Sequence, residues 1–435
     1  MRYEEAVAEL DARRETRMVP DLSRILRMAT LLDDPQLAYP TIQVTGTNGK
    51  GTAATVAAAL ACAHGLSTGL YTSPHLLEVT ERFSVCGVDM TPEEFGEEYE
   101  HLLPFFRLVD DETDERVTYF EALTALAYLW FADKPVALGV FEVGMGGTWD
   151  ATNLVAGDVA VITPVALDHP ELGSTLTEVA GEKAGIIKGG KIVVSREQED
   201  EALTVIEARC AAVGADLKLE FRDWEVEQRL PAVGGQALRV RGLHGTYDDL
   251  FLPLFGEHAA RNAGAAVAAY EALVAEPLSE EAAREALASV AWPGRMEVVT
   301  RQPTVILDGA HNPAAAQALA AALGESFLWE RLHLVISVSG NKDLGGIVRE
   351  LAPLADQVYA TRNASERSGD AVRIAERFAA EDVPAEVFDD VASAIAAARA
   401  AAAEADLILV TGSLYTVADA RRALGSGVGR PPGDA

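Results

Sequence analysis

Positive charge is scarce in this sequence: 36 lysines and arginines stand against 67 aspartates and glutamates, a formal charge of −31 at pH 7. A nucleic-acid partner is excluded on that ground, because binding a phosphate backbone takes a basic surface. Any anionic substrate must be met by a local positive site, and the acidic surplus serves solubility. Cysteine is nearly absent. Cys62, Cys86 and Cys210 are widely separated, odd in number and without paired zinc spacing. They read as small buried hydrophobes, or else as a reactive thiol, and not as a disulfide framework. No apolar run reaches membrane-spanning length, and residues 1–10 carry three glutamates where an export signal is basic and then apolar. The expectation is a cytoplasmic protein with no membrane partner, and a monomer, since no oligomerisation pattern stands out.

What is present is a large apolar fraction, 49% of 435 residues, enough for two or three domains. The chain is organised around residues 41–52, Thr-Ile-Gln-Val-Thr-Gly-Thr-Asn-Gly-Lys-Gly-Thr, followed by an alanine-rich run over 53–63. An apolar strand runs into a glycine turn and then into strong helix formers, so backbone N–H groups and a helix N-terminus converge on one point. That point suits a phosphate, with Lys50 supplying mobile charge and the Thr52 hydroxyl standing where Mg²⁺ needs a ligand. The strict phosphate-loop pattern is not met: Gly46 lies four residues before Lys50, and Gly51 separates Lys50 from Thr52.

Around this stretch the pattern is that of an α/β chain. Helical segments over residues 1–40 precede the loop strand, and a second strand over 66–72 ends in Ser73-Pro74-His75-Leu76. Thr91-Pro92-Glu93-Glu94 is a helix start with cap, first-turn proline and capping-box glutamate. The apolar run 136–143 reads as a strand buried on both faces, ending in Glu142 before Gly144-Met145-Gly146-Gly147. Glu142 either caps a helix or pairs with a lysine, or it faces the phosphate loop as a metal carboxylate. His169 follows the strand 159–164 as a loop histidine or a ligand, and Lys183 by its spacing is an ordinary helix-surface lysine. Shorter glycine-punctuated β runs over 221–255 suggest an antiparallel patch. Trp292-Pro293-Gly294-Arg295 breaks the pattern before a second βα alternation with strands over 305–307, 334–338, 357–360 and 407–410. The fold expected is a P-loop-type parallel-sheet ATPase domain (1–293) with a small antiparallel patch, a linker (294–303), a smaller Rossmann-like α/β domain (304–424) and a disordered tail (425–435).

The ordered motifs Gly-Thr-Asn-Gly-Lys-Gly-Thr (46–52), Thr-Ser-Pro-His-Leu (72–76), Glu81-Arg82-Phe83, Phe120-Glu121, Glu-Val-Gly-Met-Gly-Gly (142–147), Asp-Ala-Thr-Asn (150–153), Asp168-His169, Glu-Lys-Ala-Gly-Ile (182–186), Trp-Pro-Gly-Arg (292–295) and Asp-Gly-Ala-His-Asn-Pro (308–313) run along nearly the whole chain. In these the sequence resembles the folylpolyglutamate synthase and dihydrofolate synthase family, a branch of the ATP-dependent Mur ligases. The resemblance implies an ATP-dependent ligase that adds L-glutamate to dihydropteroate, to a reduced folate, or to both, through an acyl phosphate. ATP would be held by Thr47, Asn48, Gly49, Lys50, Gly51 and Thr52, with Asn262, Arg295, Asp308 and His311. Mg²⁺ would be held through Thr52, Ser73, Glu142 and His169, with Lys183 as a carbamylated lysine near the metal. Lys50, Lys183 and His169 are then the catalytic candidates, and Thr118, Asp150 and Ala151 match positions lining a pterin site. Thr148-Trp149 stands where relatives commonly have an arginine after the glycines, the loop 168–173 is about one residue shorter than usual, and Ala259 replaces a usual glutamine. These departures bear on substrate choice. The alternatives are a Mur-type ligase of another carboxylate substrate and a non-catalytic nucleotide- or folate-binding protein.

Overall fold

Thr41–Thr45 is buried at all five positions, as a parallel strand covered on both faces must be. In the computed structural model of the protein, which describes residues 1–14, 20–113, 115–168 and 170–425, it is β1 near the centre of an eight-stranded sheet. The other members are β2 (Thr68–Tyr71), β3 (Phe83–Val85), β4 (Val88–Asp89), β5 (Leu138–Glu142), β6 (Val159–Ile162), β7 (Ile192–Ser195) and β8 (Asp216–Leu219), in the order β4-β3-β2-β5-β1-β6-β7-β8. Six strands run parallel, while β3 and β4 turn back along one edge. The chain leaves β1 for the β2–β5 side and later returns to β6 on the other. That reversal opens a crevice at the carboxyl ends of β1, β5 and β6.

Helix Lys50–Ala63 packs between the sheet and helices Glu257–Val274 and Glu280–Ala288. Ten of its fourteen residues are buried, which explains its alanine content: small side chains let a helix approach on several sides. Helices Ser23–Leu31, Pro92–Glu112 and Tyr119–Asp133 build the core on the opposite face. Thr91 caps Pro92–Glu112 with the reciprocal Glu94 bond that the sequence announced.

The expected antiparallel patch is a three-stranded sheet of β9 (Glu225–Ala232), β10 (Gly235–Arg241) and β11 (Thr246–Leu252). The second βα unit is a six-stranded sheet of β12 (Glu297–Arg301), β13 (Thr304–Leu307), β14 (Leu332–Ile336), β15 (Gln357–Ala360), β16 (Ala385–Val387) and β17 (Leu407–Thr411), ordered β12-β13-β17-β14-β15-β16. All its pairings are parallel except β12 with β13. Residues 297–301 of the stretch read as linker are therefore a strand of this sheet. Of the stretch read as a tail, Gly425 caps the last helix at φ 70°, and residues 426–435 lie outside the described residues. No helix among the described residues is long and apolar enough to cross a membrane.

The cysteine reading is corrected. Cys62 and Cys86 form a disulfide with Cα atoms 5.6 Å apart, and only Cys210 is a free, buried thiol. The bond joins the last turn of helix Lys50–Ala63 to the β3–β4 turn. Cys86 is placed there by antiparallel pairing, its N–H donating to the Thr68 carbonyl at 3.0 Å. Twenty-four residues of separation hid a contact that only the sheet edge creates.

Candidate functional site

The turn after β1 has the backbone its glycines allow. Gly49, at φ +86°, sits before Lys50, and a Cβ there would stand 2.1 Å from the Asn262 amide nitrogen; at Gly46, φ +143°, it would stand 1.9 Å from the Thr163 hydroxyl. The loop is thus pressed against its support, with its N–H groups and helix Lys50–Ala63 behind it, the arrangement that receives phosphate. Thr47 ties it to the segment after β6: its hydroxyl donates to the Ala166 carbonyl at 2.9 Å and accepts from the Ala166 N–H at 2.9 Å. Lys50 Nζ lies 3.3 Å from the carbonyls of both Gly46 and Thr47.

Lys183 is not a surface lysine. It is 4% exposed and donates to the Gly46 carbonyl at 2.7 Å. Burial first, and then the neighbouring Lys50 charge, bring its ammonium down to about 7. Glu142 ends β5 in the same crevice, buried, accepting from the Ser73 N–H at 3.0 Å and forming no ion pair among the described residues. Burial raises its pKa, against the pull of Lys50. The alternative that Glu142 pairs with a lysine is not realised. Its carboxylate with the Thr52 and Ser73 hydroxyls is a hard-oxygen donor set suited to Mg²⁺; His169 lies outside the described residues, and no group of three or more His, Cys, Asp or Glu side chains is gathered for a metal among the rest.

Asp150 holds the Gly144–Gly147 turn in shape. Its carboxylate accepts from Met145 N–H at 2.9 Å, Thr152 N–H at 3.0 Å and the Thr152 hydroxyl at 2.6 Å, while burial raises its pKa. Thr118 caps helix Tyr119–Asp133 through the Glu121 N–H, and the Ala151 carbonyl accepts from the Tyr128 hydroxyl at 2.7 Å. Phe120 packs against Gly144, so these positions surround one turn beside Glu142.

The carboxyl ends of the second sheet meet the first at this place. After β13, Asp308 accepts from the N–H groups of Met296 (2.9 Å) and Ala310 (2.8 Å); burial raises its pKa and Arg295 opposes that. His311 is bonded to the Gly309 carbonyl at 2.9 Å, and burial takes its imidazole down to about 4. Asn48 and Asn312 exchange amide hydrogen bonds of 3.3 and 3.1 Å across the two units, and Lys342 donates to Asp168 at 2.6 Å. Asn262 lies beneath the loop, its carbonyl accepting from Arg196 at 2.6 Å; Arg196 and Arg261 both pair with Glu220. Arg196, Glu220 and Lys342 escaped the reading of the sequence. Lys342, in Gly-Asn-Lys-Asp just beyond β14, was findable as a cation at a parallel strand's end; Glu220 carried no such signal. A cavity of about 430 Å³ opens beside these groups, lined by Ser73, His75, Glu142, Trp292, Arg295 and Leu414 among others.

The chain matches the Mur ligase middle domain over residues 44–270 and the Mur ligase glutamate ligase domain over residues 294–414. It is 39% identical to the dihydrofolate synthase/folylpolyglutamate synthase of Mycobacterium tuberculosis over 94% of this chain and 91% of that one. To the protein of the same description from Bacillus subtilis it is 32% identical, over 97% of this chain and 99% of that one. Among solved structures, it superposes on Mycobacterium tuberculosis folylpolyglutamate synthase complexed with ADP with a TM-score of 0.94, at 38% identity over 97% and 98% of the two chains. With E. coli FolC in complex with DHPP and ADP, the TM-score is 0.87, at 30% identity over 98% of each chain.

Proposed function

From the premise that the chain belongs to the folylpolyglutamate synthase/dihydrofolate synthase family of Mur ligases and is an ATP-dependent glutamate ligase, we propose that it joins L-glutamate both to 7,8-dihydropteroate and to the γ-carboxylate of reduced folates. The observation that carries this reading is the convergence, at one crevice between two parallel sheets, of the phosphate loop, Glu142, Lys183 and the loop bearing Asp308 and His311. The boundary between the ATP-binding unit (1–293) and the C-terminal unit falls at residues 294–296, just before the strand Glu297–Arg301, and the protein acts as a cytoplasmic monomer.

A carboxylate and an amine form an unreactive salt at neutral pH, so the acid is activated first. Thr47, Asn48, Gly49, Lys50, Gly51 and Thr52 cradle the ATP phosphates, and Lys50 follows the charge of the moving γ-phosphoryl group onto the substrate carboxylate. Thr52, Ser73 and Glu142, with His169, would hold Mg²⁺, which would neutralise phosphate charge when bound. Arg295, Asp308, His311 and Asn262 position the nucleotide from the second sheet and from beneath the loop. Lys183, with its amine neutral in a large fraction of molecules near pH 7, can add CO₂ and release a proton, giving a carbamate carboxylate beside the loop. Thr118, Asp150 and Ala151 shape the pterin pocket, and the glutamate amine displaces phosphate from the acyl phosphate while the opposed sheets exclude water.

The experiment is ADP formation by the purified protein with Mg²⁺-ATP and L-glutamate, comparing 7,8-dihydropteroate, tetrahydrofolate and a no-pterin control. Turnover with both pterins is expected; turnover with one restricts the substrate range, and silence with both refutes the folate reading.

A further inference from the structure

Five arginines are buried among the described residues: Arg13, Arg24, Arg82, Arg196 and Arg421. Four pair with a carboxylate: Arg13 with Asp110 (3.1 Å), Arg24 with Glu121 (2.9 Å), Arg196 with Glu220 (2.9 Å) and Arg421 with Glu297 (2.5 Å). Arg82, 6% exposed, pairs with none among the described residues. Its Nε donates to His75 Nδ1 at 2.9 Å, and its guanidinium carbon lies 5.8 Å from the Tyr119 ring centroid. A guanidinium remains charged in a protein, and burying a charge without a counter-charge is strongly unfavourable. With 67 acidic residues in the chain, the missing partner is not a matter of supply.

The surroundings add positive charge. Arg14 stacks on the same Tyr119 ring at 4.2 Å, and the charge of Arg422, on the last helix of the second unit, is felt at His75. Arg14 and Arg422 are half-exposed and bonded to Asp11 and Asp419; Arg82 is the cation left over. Its place is beside the chemistry: the Arg82 carbonyl accepts from the Thr72 N–H, next to Ser73, its charge is felt at Glu142, and Tyr119 follows Thr118. Arg82 therefore stands between the groups that handle the reacting carboxylate and those assigned to the pterin.

We infer that Arg82, flanked by Arg14 and Arg422, receives a carboxylate of the acid substrate other than the one being activated: the α-carboxylate of a glutamate already attached to the pterin. The planar fork of arginine fits a carboxylate with two parallel hydrogen bonds. Dihydropteroate has only its reacting carboxylate, whereas a folate brings at least one more, so Arg82 is a specificity determinant that separates the two substrates. This rests on the folate reading proposed above.

The test is equilibrium binding without ATP of tetrahydropteroyl-diglutamate, dihydropteroate and the free dipeptide γ-glutamyl-glutamate to the wild-type protein and to Arg82→Gln, Arg82→Lys and Arg14→Gln. Losing one charge-assisted pair is expected to weaken diglutamate binding by about tenfold or more in Arg82→Gln, with a far smaller change for dihydropteroate. Arg82→Lys, which keeps the charge but not the fork, falls between, and Arg14→Gln shows the same selectivity more weakly. Should Arg82→Gln not fold, these two variants read the same difference. Equal losses for both pterins, or an unchanged diglutamate affinity, overturn the inference. A wild-type protein that binds the dipeptide but neither pterin upholds the carboxylate site while refuting the folate reading; one that binds no glutamate-bearing ligand overturns the site.

Discussion

Two lysines share the Gly46 carbonyl: Lys183 at 2.7 Å and Lys50 at 3.3 Å. Burial first, and then repulsion by the Lys50 ammonium on the same acceptor, bring Lys183 down to about 7. Lys50, at the mouth of the helix, is the side chain placed to meet the phosphoryl group. Lys50→Ala is expected to lower the rate of ADP formation by about 10²–10³-fold, the loss of one preorganised transition-state contact, while leaving the urea midpoint close to that of the parent. Lys183→Arg places a permanent cation where a neutral amine is tolerated. It is expected to lose activity by a similar factor, and to lose stability in urea as well, a combination Lys50→Ala does not show.

At the scale of elements, helix Lys50–Ala63 is held at its two ends by different means. Its last turn is tied to the β3–β4 turn by the Cys62–Cys86 bond, which closes a loop of 24 residues in sequence. Such a loop restricts the unfolded chain by about 3 kcal/mol on the chain-entropy account. Cys62→Ser, or reduction with dithiothreitol, is therefore expected to lower the thermal midpoint of the oxidised protein, and dithiothreitol to leave Cys62→Ser unchanged. Beneath the other end, Asn262 is braced by Arg196, and Glu220 is clamped between Arg196 and Arg261. Burial alone would raise the Glu220 pKa, but the Arg261 hydrogen bond and the Arg196 charge outweigh it and the net shift is downward. A depressed folded-state pKa adds stability above the unfolded value and loses it as pH falls through the folded one. Glu220→Gln is thus expected to cost about 3 kcal/mol at pH 7, by leaving buried guanidinium charge uncompensated. Urea titrations should show that difference undiminished above about pH 5 and shrinking as the pH falls through the carboxylate range.

For the whole molecule, the relation between the two sheets is fixed near the phosphate loop by the Lys342–Asp168 pair and the reciprocal Asn48–Asn312 amides. Both partners of the ion pair are largely buried, at 13% and 10% side-chain exposure, so solvent screens the contact little. Lys342→Met and Asp168→Asn are each expected to raise the radius of gyration measured by small-angle scattering and to lower kcat/KM for ATP by about tenfold, an interfacial contact of ordinary strength. The double variant should be no worse than either alone. Additive losses would mean that the two residues act separately and that the sheets are held in register by something else.

Local rules made much of this legible in the sequence. The loop at 46–52 followed from a strand, glycines and an alanine helix in succession; the Thr91 capping box and the second βα alternation followed from turn chemistry and period, which depend on neighbours a few residues away. The same rules read Lys183 as exposed, left Glu142 with open alternatives, kept Cys62 and Cys86 apart, and passed over Lys342. Lys183 and Gly46 are 137 residues apart, and Lys342 and Asp168 are 174 apart. The sequence alone determined the glycine turn between β1 and the alanine-rich helix and the parallel character of the two larger sheets. Only the tertiary structure decided which charges are buried together and which buried guanidinium lacks a carboxylate among the described residues, because burial and pairing arise where distant segments meet and leave no trace in local spacing.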